Sequence, residues 1–261
     1  IHERGGTLTS FRSVCGGLPA PDSANNPLKY KFSWNPRGVI TASQNSARYR
    51  QDNVIVEVSP EKYSNLYSSN KQLRKSIMSI PYQIDGEHLL QNATPFSETW
   101  PELQLECLPN RDSILYEDVY GIGGVPTIFR GTLRYDGFSS LMYVFRNIGL
   151  FGSELFDNDS TWRNVLDELR RISGHTTNLE EFFVYCAGGD RQLAGRAWDC
   201  LQWMNMTSDN DILKHSGPVI DLFCEKLEEY LQYDKDERDM VVMHHSITAK
   251  FDDGSIEEHD S

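Results

Sequence analysis

Residues 15 to 34 read Cys-Gly-Gly-Leu-Pro-Ala-Pro-Asp-Ser-Ala-Asn-Asn-Pro-Leu-Lys-Tyr-Lys-Phe-Ser-Trp, a block that concentrates the residue types from which ligand sites are made. Gly16 and Gly17 supply freedom for a tight turn, while Pro19, Pro21 and Pro27 fix the path and remove donors. Lys31 lies among Tyr30, Phe32 and Trp34, so positive charge meets flat apolar surface, a combination suited to an anion with an aliphatic body. A rigid packed loop without a ligand would use the same residues. Two arginines, Arg111 and Arg134, stand at expected strand ends, where a guanidinium can hold a carboxylate through two parallel hydrogen bonds. The competing reading for Arg111 is an ion pair near Asp112.

Other chemistry-bearing types offer less. The five cysteines, at 15, 107, 186, 200 and 224, have neither C-x-x-C pairing nor regular spacing, so no zinc site or disulfide framework is expected and the thiols are read as reduced. His244 and His245 adjoin on an expected strand and point to opposite faces, which prevents chelation of one ion. His245, which interrupts an apolar face, is read as a buried, hydrogen-bonded histidine or an interface one rather than a ligand. No metal is expected.

These residues need elements to position them. Thr7 to Val14 alternates as a strand leading into the Gly-Pro block, which is expected to be a loop. Asn35 then caps a helix starting at Pro36 and running towards Tyr49. Val54 to Val58 reads as a strand, 59–100 is the least interpretable stretch, and Leu103 to Leu108 is a strand that delivers Pro109-Asn-Arg-Asp. A short helix over Ser113 to Tyr120 and a strand over Thr127 to Tyr135 follow. Gly121-Ile-Gly-Gly-Val-Pro126 lacks the third glycine and the following helix of a dinucleotide fingerprint, and reads as a turn.

From Phe138 onward the apolar period is helical. Phe138, Leu141, Met142, Phe145 and Ile148 form one stripe; Trp162, Val165, Leu166, Leu169 and Ile172 a second; further stripes follow around Ala197 and Phe223. Alternation returns over Met240 to Phe251, with Val241, Met243, Ile247, Ala249 and Phe251 assigned to one face, and Asp253-Gly254 turns the chain into a hairpin. The fold class is α+β, a mixed β-sheet covered by helices with an all-helical insertion. The division is 1–136 plus 236–261 for the sheet domain and 137–235 for the insertion.

With 261 residues, 39% hydrophobic and 24% charged, the chain can bury a proper core. A net charge of −13 argues against nucleic acid, which needs a basic footprint. The charge is uneven: between residues 11 and 50, Arg12, Lys29, Lys31, Arg37, Arg48 and Arg50 face the single acid Asp22, so an anionic small molecule can still be drawn there. No run of about 18 apolar residues exists to span a bilayer, and no membrane partner is expected.

Taken in order, Cys15-Gly-Gly-Leu-Pro-Ala-Pro21, Asn26-Pro-Leu-Lys-Tyr-Lys-Phe-Ser-Trp34, Pro109-Asn-Arg-Asp-Ser113, Arg130-Gly-Thr-Leu-Arg-Tyr135 and Glu237-Arg-Asp-Met-Val-Val242 resemble the glutamate-forming saccharopine dehydrogenase family, also called saccharopine reductases. Five blocks spanning nearly the whole chain make a specific signal. The resemblance implies the substrate-binding and dimerisation domain, laid out as in the C-terminal domain of glyceraldehyde-3-phosphate-dehydrogenase-like enzymes. It implies a homodimer acting in lysine degradation, with NAD or NADP bound by a dinucleotide domain absent from this chain, so that the chain alone is inactive. Residues 1 and 261 are then expected to lie close together. The implied substrate-binding residues are Arg111, Thr132, Leu133, Arg134, Cys15, Lys31, Phe32, Ser33 and Trp34. Of these, Thr132 enters through its hydroxyl, Leu133 through its backbone, and Cys15 as a contact rather than a nucleophile. Asn25-Asn-Pro-Leu, Tyr120-Gly-Ile and Gly188-Gly-Asp190 are similar to the animal bifunctional form, alpha-aminoadipic semialdehyde synthase, which implies a mitochondrial, NAD-using parent; a fungal-like parent would be cytoplasmic and NADP-using. The alternatives are a non-catalytic dimerisation or metabolite-sensing module and a related reductase for another amino-dicarboxylate.

Overall fold

The structure is a computed structural model that describes residues 1–57 and 86–261. It divides into two compact units, the first made of 1–17, 43–134 and 241–261, the second of 18–42 and 135–240. The helical unit therefore takes in 18–42, which the sequence pattern assigns to the sheet domain. Of the uninterpreted stretch 59–100, residues 59–85 lie outside the described residues.

Unit 1 is built on an eight-stranded mixed sheet. Its strands are β1 (Thr7–Pro19), β2 (Arg48–Gln51), β3 (Val54–Glu57), β4 (Thr94–Phe96), β5 (Leu105–Pro109), β6 (Thr127–Tyr135), β9 (Asp239–Lys250) and β10 (Ile256–Asp260). The spatial order is β10-β9-β1-β6-β2-β3, with β5 joined to β6 and β4 to β5. β1 and β6 run parallel, Ser10 opposite Thr127 through Cys15 opposite Thr132. The pairings of β9 with β10, of β2 with β3 and β6, and of β4 with β5 are antiparallel. β6 is central: Ile128 and Leu133, which alternate to opposite faces, are both fully buried.

Gly16 and Gly17 do not turn the chain. β1 continues through them to Pro19, and neither has a positive φ. What Gly16 permits is close approach, because a Cβ there would stand 2.7 Å from the Leu133 carbonyl oxygen. The Gly-Pro block thus begins as strand, and the turn follows at Pro21–Ser23.

β9 also departs from expectation. Val242 and His244 are buried in its first half while Val241 and Met243 are exposed; Ala249 and Phe251 are buried at its far end. His244, not His245, is the buried histidine, set edge-on to Phe96 and Trp100 with its Nδ1 3.2 Å from the Thr99 hydroxyl. The turn at Asp253-Gly254 forms as expected, Gly254 having φ 85°. The termini are not adjacent. Ser261 bonds the backbone of His245, whereas Ile1 packs on Gly6, itself beside Phe251, six strand residues and about 20 Å further along.

Unit 2 is helical apart from the short antiparallel pair β7 (Leu155–Phe156) and β8 (Gly217–Pro218): α3 (Phe138–Ile148), α4 (Trp162–Ile172), α5 (Leu179–Cys186), α6 (Arg191–Trp203) and α7 (Val219–Leu231), preceded by α1 (Pro36–Ser43); α2 (Tyr116–Tyr120) belongs to unit 1. Local chemistry sets the starts. Thr161 and Asn164 cap each other reciprocally, Asn178 accepts from Glu181 N, and Asp190 accepts from Gln192 and Leu193 N. Asn35 accepts from Arg37 N at 2.7 Å, the expected cap for α1, which then ends at Ser43 rather than near Tyr49. The stripes meet in a core around Phe145, Phe182, Phe183 and Phe223, all fully buried, while Ile172 is left exposed. Segment 18–42 is tied to this unit by Ala20 N to Arg238 O, Phe32 N to Leu231 O and the Tyr135 hydroxyl to Pro19 O.

Gly16→Ala should destabilise the fold by about 1–3 kcal/mol through overpacking against Leu133. Gly17→Ala, with nothing within 4 Å of the added atom, should stay within about 0.5 kcal/mol of wild type in urea unfolding. Equal effects at the two positions would remove the close-approach explanation.

Candidate functional site

The parallel register does the gathering in unit 1. Cys15 stands directly opposite Thr132 near the carboxyl ends of β1 and β6, and alternation puts Arg130 and Arg134 on the same face as Thr132. Cys15 and Thr132 are half-buried, within reach of a ligand. Leu133 points to the other face and is fully buried, so only its backbone can serve a site; its carbonyl accepts from the Arg134 guanidinium at 2.8 Å. That bond aims the Arg134 side chain along the strand end.

Arg111 arrives from β5. Asn110 N bonds Arg130 O, Arg48 N bonds Arg111 O, and Ser113 N bonds Arg48 O, so the loop after β5 is stitched to β6 and β2. The anticipated pairing with Asp112 does not occur, since Asp112 pairs Arg48 at 2.7 Å. Among the described residues Arg111 has no ion-pair partner, its side chain is exposed, and its backbone sits in the left-handed region at φ 52°. A non-glycine residue held there is uncommon and costs conformational energy, which the surrounding hydrogen bonds offset. Arg111 lies beside Arg130 and Arg134 is four residues further on, about 13 Å along the strand. Two cations at that spacing suit the separated carboxylates of one extended ligand. Arg130 is engaged elsewhere, its guanidinium 3.8 Å from the centre of the Tyr116 ring.

Lys31, Phe32, Ser33 and Trp34 fall in unit 2, and here the expectation is corrected. Lys31 is buried, donating to Glu237 at 2.5 Å and to Gln232 O at 3.1 Å, so its charge is neutralised internally rather than presented to an anion. Phe32 is buried too, whereas Ser33 and Trp34 are exposed, Trp34 with its ring edge laid on Gly38 of α1. Phe32, Ser33 and Trp34 share a shallow depression with Tyr233, and its charged lining is Glu228, Glu237 and Asp239. The Tyr233 phenol is pushed up to about 12, by burial first and then by Asp239. The local field is negative, not positive. Glu237 is the residue that had no assigned role, and its signal lay in plain view at the head of the fifth quoted block.

The remaining expectations concern cofactors and metals. Gly121 caps α2 in the left-handed conformation, Gly124 has φ 78°, and a strand rather than a helix follows, so these residues do not fit a pyrophosphate cradle. Among the described residues no group of three or more His, Cys, Asp or Glu could hold a metal ion, and no helix is long and apolar enough to cross a membrane. Cys107, Cys186 and Cys200 are pushed up to about 12 and Cys224 to about 11, all by burial.

Strands that deliver Cys15, Thr132, Arg134 and Arg111 to one sheet invite comparison with known proteins. The model of the saccharopine dehydrogenase C-terminal domain matches residues 1–261. The chain belongs to this family. It is 34% identical to the yeast (Saccharomyces cerevisiae) saccharopine dehydrogenase [NADP(+), L-glutamate-forming], over 98% of this chain and 52% of that protein. It is 35% identical to the Arabidopsis thaliana alpha-aminoadipic semialdehyde synthase, over 99% of this chain and 23% of that protein, and 33% identical to the mitochondrial mouse one, over 98% and 25%. The solved structure of the apo yeast saccharopine dehydrogenase superposes with a TM-score of 0.80 at 32% identity, covering all of this chain and 54% of that one. The chain thus spans about half the length of the yeast relative, or about a quarter of the plant and mouse ones. The mixed sheet with helical cover is the family's C-terminal domain.

The Lys31–Glu237 pair gives the helical unit a pH signature. Glu237 is held below the ordinary carboxylate range, by the Asp234 N–H first and the Lys31 ammonium second. A carboxyl so depressed stabilises the fold above its unfolded pKa, and that contribution is lost as pH falls through the folded value. Lys31→Met should therefore lower Tm at neutral pH, with the deficit narrowing below about pH 4. Adding Glu237→Gln should recover part of the loss, since removing one partner of a buried pair is worse than neutralising both. A double variant less stable than Lys31→Met would contradict this reading.

Proposed function

We propose that this chain is the substrate-binding portion of a saccharopine dehydrogenase, acting in lysine degradation as part of a full-length enzyme. The reaction oxidises the secondary amine of saccharopine by hydride transfer to NAD or NADP; water then splits the imine to glutamate and 2-aminoadipate semialdehyde. The observation that supports the reading is the backbone placement of Arg111, in the loop after β5 that is bonded to β6, and of Arg134, at the end of β6, with Cys15 opposite Thr132 on the neighbouring strand. Saccharopine bears three carboxylates, and fixed forks of donors hold carboxylates in one geometry. Arg111 is pre-set by its left-handed backbone, Arg134 by its bond to Leu133 O, and the Thr132 hydroxyl and Cys15 line the ground beside them.

Within the helical unit, Phe32, Ser33 and Trp34 offer shape rather than charge, with Lys31 a positioning residue that holds the segment through Glu237. The turn over Gly121 to Pro126 does not fit a dinucleotide cradle, so cofactor binding is assigned to another part of the full-length protein and no acid or base is named here. The helix-covered mixed sheet supports the layout of the glyceraldehyde-3-phosphate-dehydrogenase-like C-terminal domain and, with it, a homodimer. The near-equal identities to the yeast, plant and mouse relatives support the shared activity more than any one type of parent; an animal-type parent would be mitochondrial.

NAD(P)H formation from saccharopine by the full-length enzyme tests the assignment. Arg111→Ala and Arg134→Ala should each raise KM by a factor equivalent to about 1.5–3 kcal/mol, the weight of a charge-assisted contact. A KM unmoved by either change would exclude that arginine from the site.

A further inference from the structure

A second cavity opens in unit 1, of about 570 Å3. It shares no residue with the arginine site. Its walls include Arg12 of β1, Tyr49 of β2, Thr94 of β4, and Thr127 and Phe129 of β6. Arg12 stands opposite Phe129 and Cys15 opposite Thr132, three residues on, so the two sets project from opposite faces of the sheet.

The chemistry of this cavity is specific. The Arg12 guanidinium lies 5.6 Å from the centre of the Phe129 ring. Its ion pair among the described residues is with Glu98 at 3.9 Å, with the two side chains 45% and 61% exposed, a solvent-screened contact worth little. Its fork of donors is therefore available. Tyr49 meets Phe129 edge-on at 5.1 Å, and burial raises its phenol above the ordinary value, keeping it a neutral donor. Among the described residues that phenol has no hydrogen-bond partner. The Thr127 hydroxyl accepts from Asp52 N at 3.1 Å and still has its own proton to give. The other cation in the wall, Arg50, is committed to Glu117 and Val125 O. One available cation, an aromatic corner and two hydroxyl donors, with Asp52 the one acid among the wall residues, describe a receptor for a single negative charge on a flat body, and the volume is that of a small-molecule site.

We propose that this cavity binds a small planar monocarboxylate, its anionic end on Arg12 and its body against Phe129 and Tyr49. The assignment is independent of saccharopine binding. The test uses 4-hydroxybenzoate as the probe and phenol as its uncharged twin, by titration calorimetry and saturation-transfer NMR on the purified protein. Saturable one-to-one binding of the carboxylate is expected, with phenol and the Arg12→Gln variant each weaker by about tenfold or more. Tyr49→Phe should weaken the carboxylate several-fold, and Arg111→Ala should leave it unchanged, which separates this site from the other. Absence of saturable binding to the wild type, equal affinity for phenol, or undiminished binding by a folded Arg12→Gln variant would each overturn the proposal. If Arg12→Gln fails to fold, the phenol comparison on the wild type decides alone.

Discussion

Two strands that run side by side in the same direction cannot be joined by a turn, so the chain between them must leave the sheet and come back. In this protein β1 and β6 are that pair, and the long excursion from Pro19 to Thr127 is the crossover they require. The register that pairs Cys15 with Thr132 sets which residues meet at the carboxyl ends of the two strands, and the contact of Gly16 with Leu133 keeps the pair close enough to hold it. The loop carrying Arg111 is hydrogen-bonded to the other edge of β6, so its position is inherited from the same strand. Slip the pair by one residue and every side chain on that face changes sides.

Charge is handled differently in the two units. In the sheet unit the arginines of interest are left half or fully exposed, where a ligand's carboxylates would meet them. In the helical unit two lysines are taken up internally. Lys31 is closed by Glu237, and Lys226, also buried, by Asp211 at 2.6 Å. Such pairs bind distant segments together, joining Lys31 to the chain just after α7 and α7 itself to the loop before it. Their cost in desolvation is met only because each ammonium has a carboxylate within hydrogen-bonding range.

Much of this was legible in the sequence where a pattern is local. The β6 boundaries, the apolar stripes of the helices, the Asn35 cap and the Gly254 turn all follow from period and capping chemistry that act within a few residues. What was not legible depended on partners far along the chain. Lys31 reads as a free cation until Glu237, some two hundred positions on, comes to meet it. Gly16 reads as a hinge until a neighbouring strand shows that the absent side chain, not the flexible backbone, is what matters there. His244 and His245 exchange roles because the buried face of β9 changes along its length, and alternation alone does not say where. Arg111 carries no local sign that Asp112 is already engaged by Arg48. Its place in the site was suggested by family resemblance, and the geometry is compatible with it.

The cysteines carry a practical consequence. Four of the five are enclosed in apolar surroundings that suppress ionisation, and the thiolate is the form that reacts. Cys15 is the one with access to solvent, on the strand that lines the arginine site. The native chain therefore comes with a single addressable position, directly opposite Thr132. A small electrophilic dye attached there would act as a built-in optical reporter of occupancy, with no residue engineered in or out.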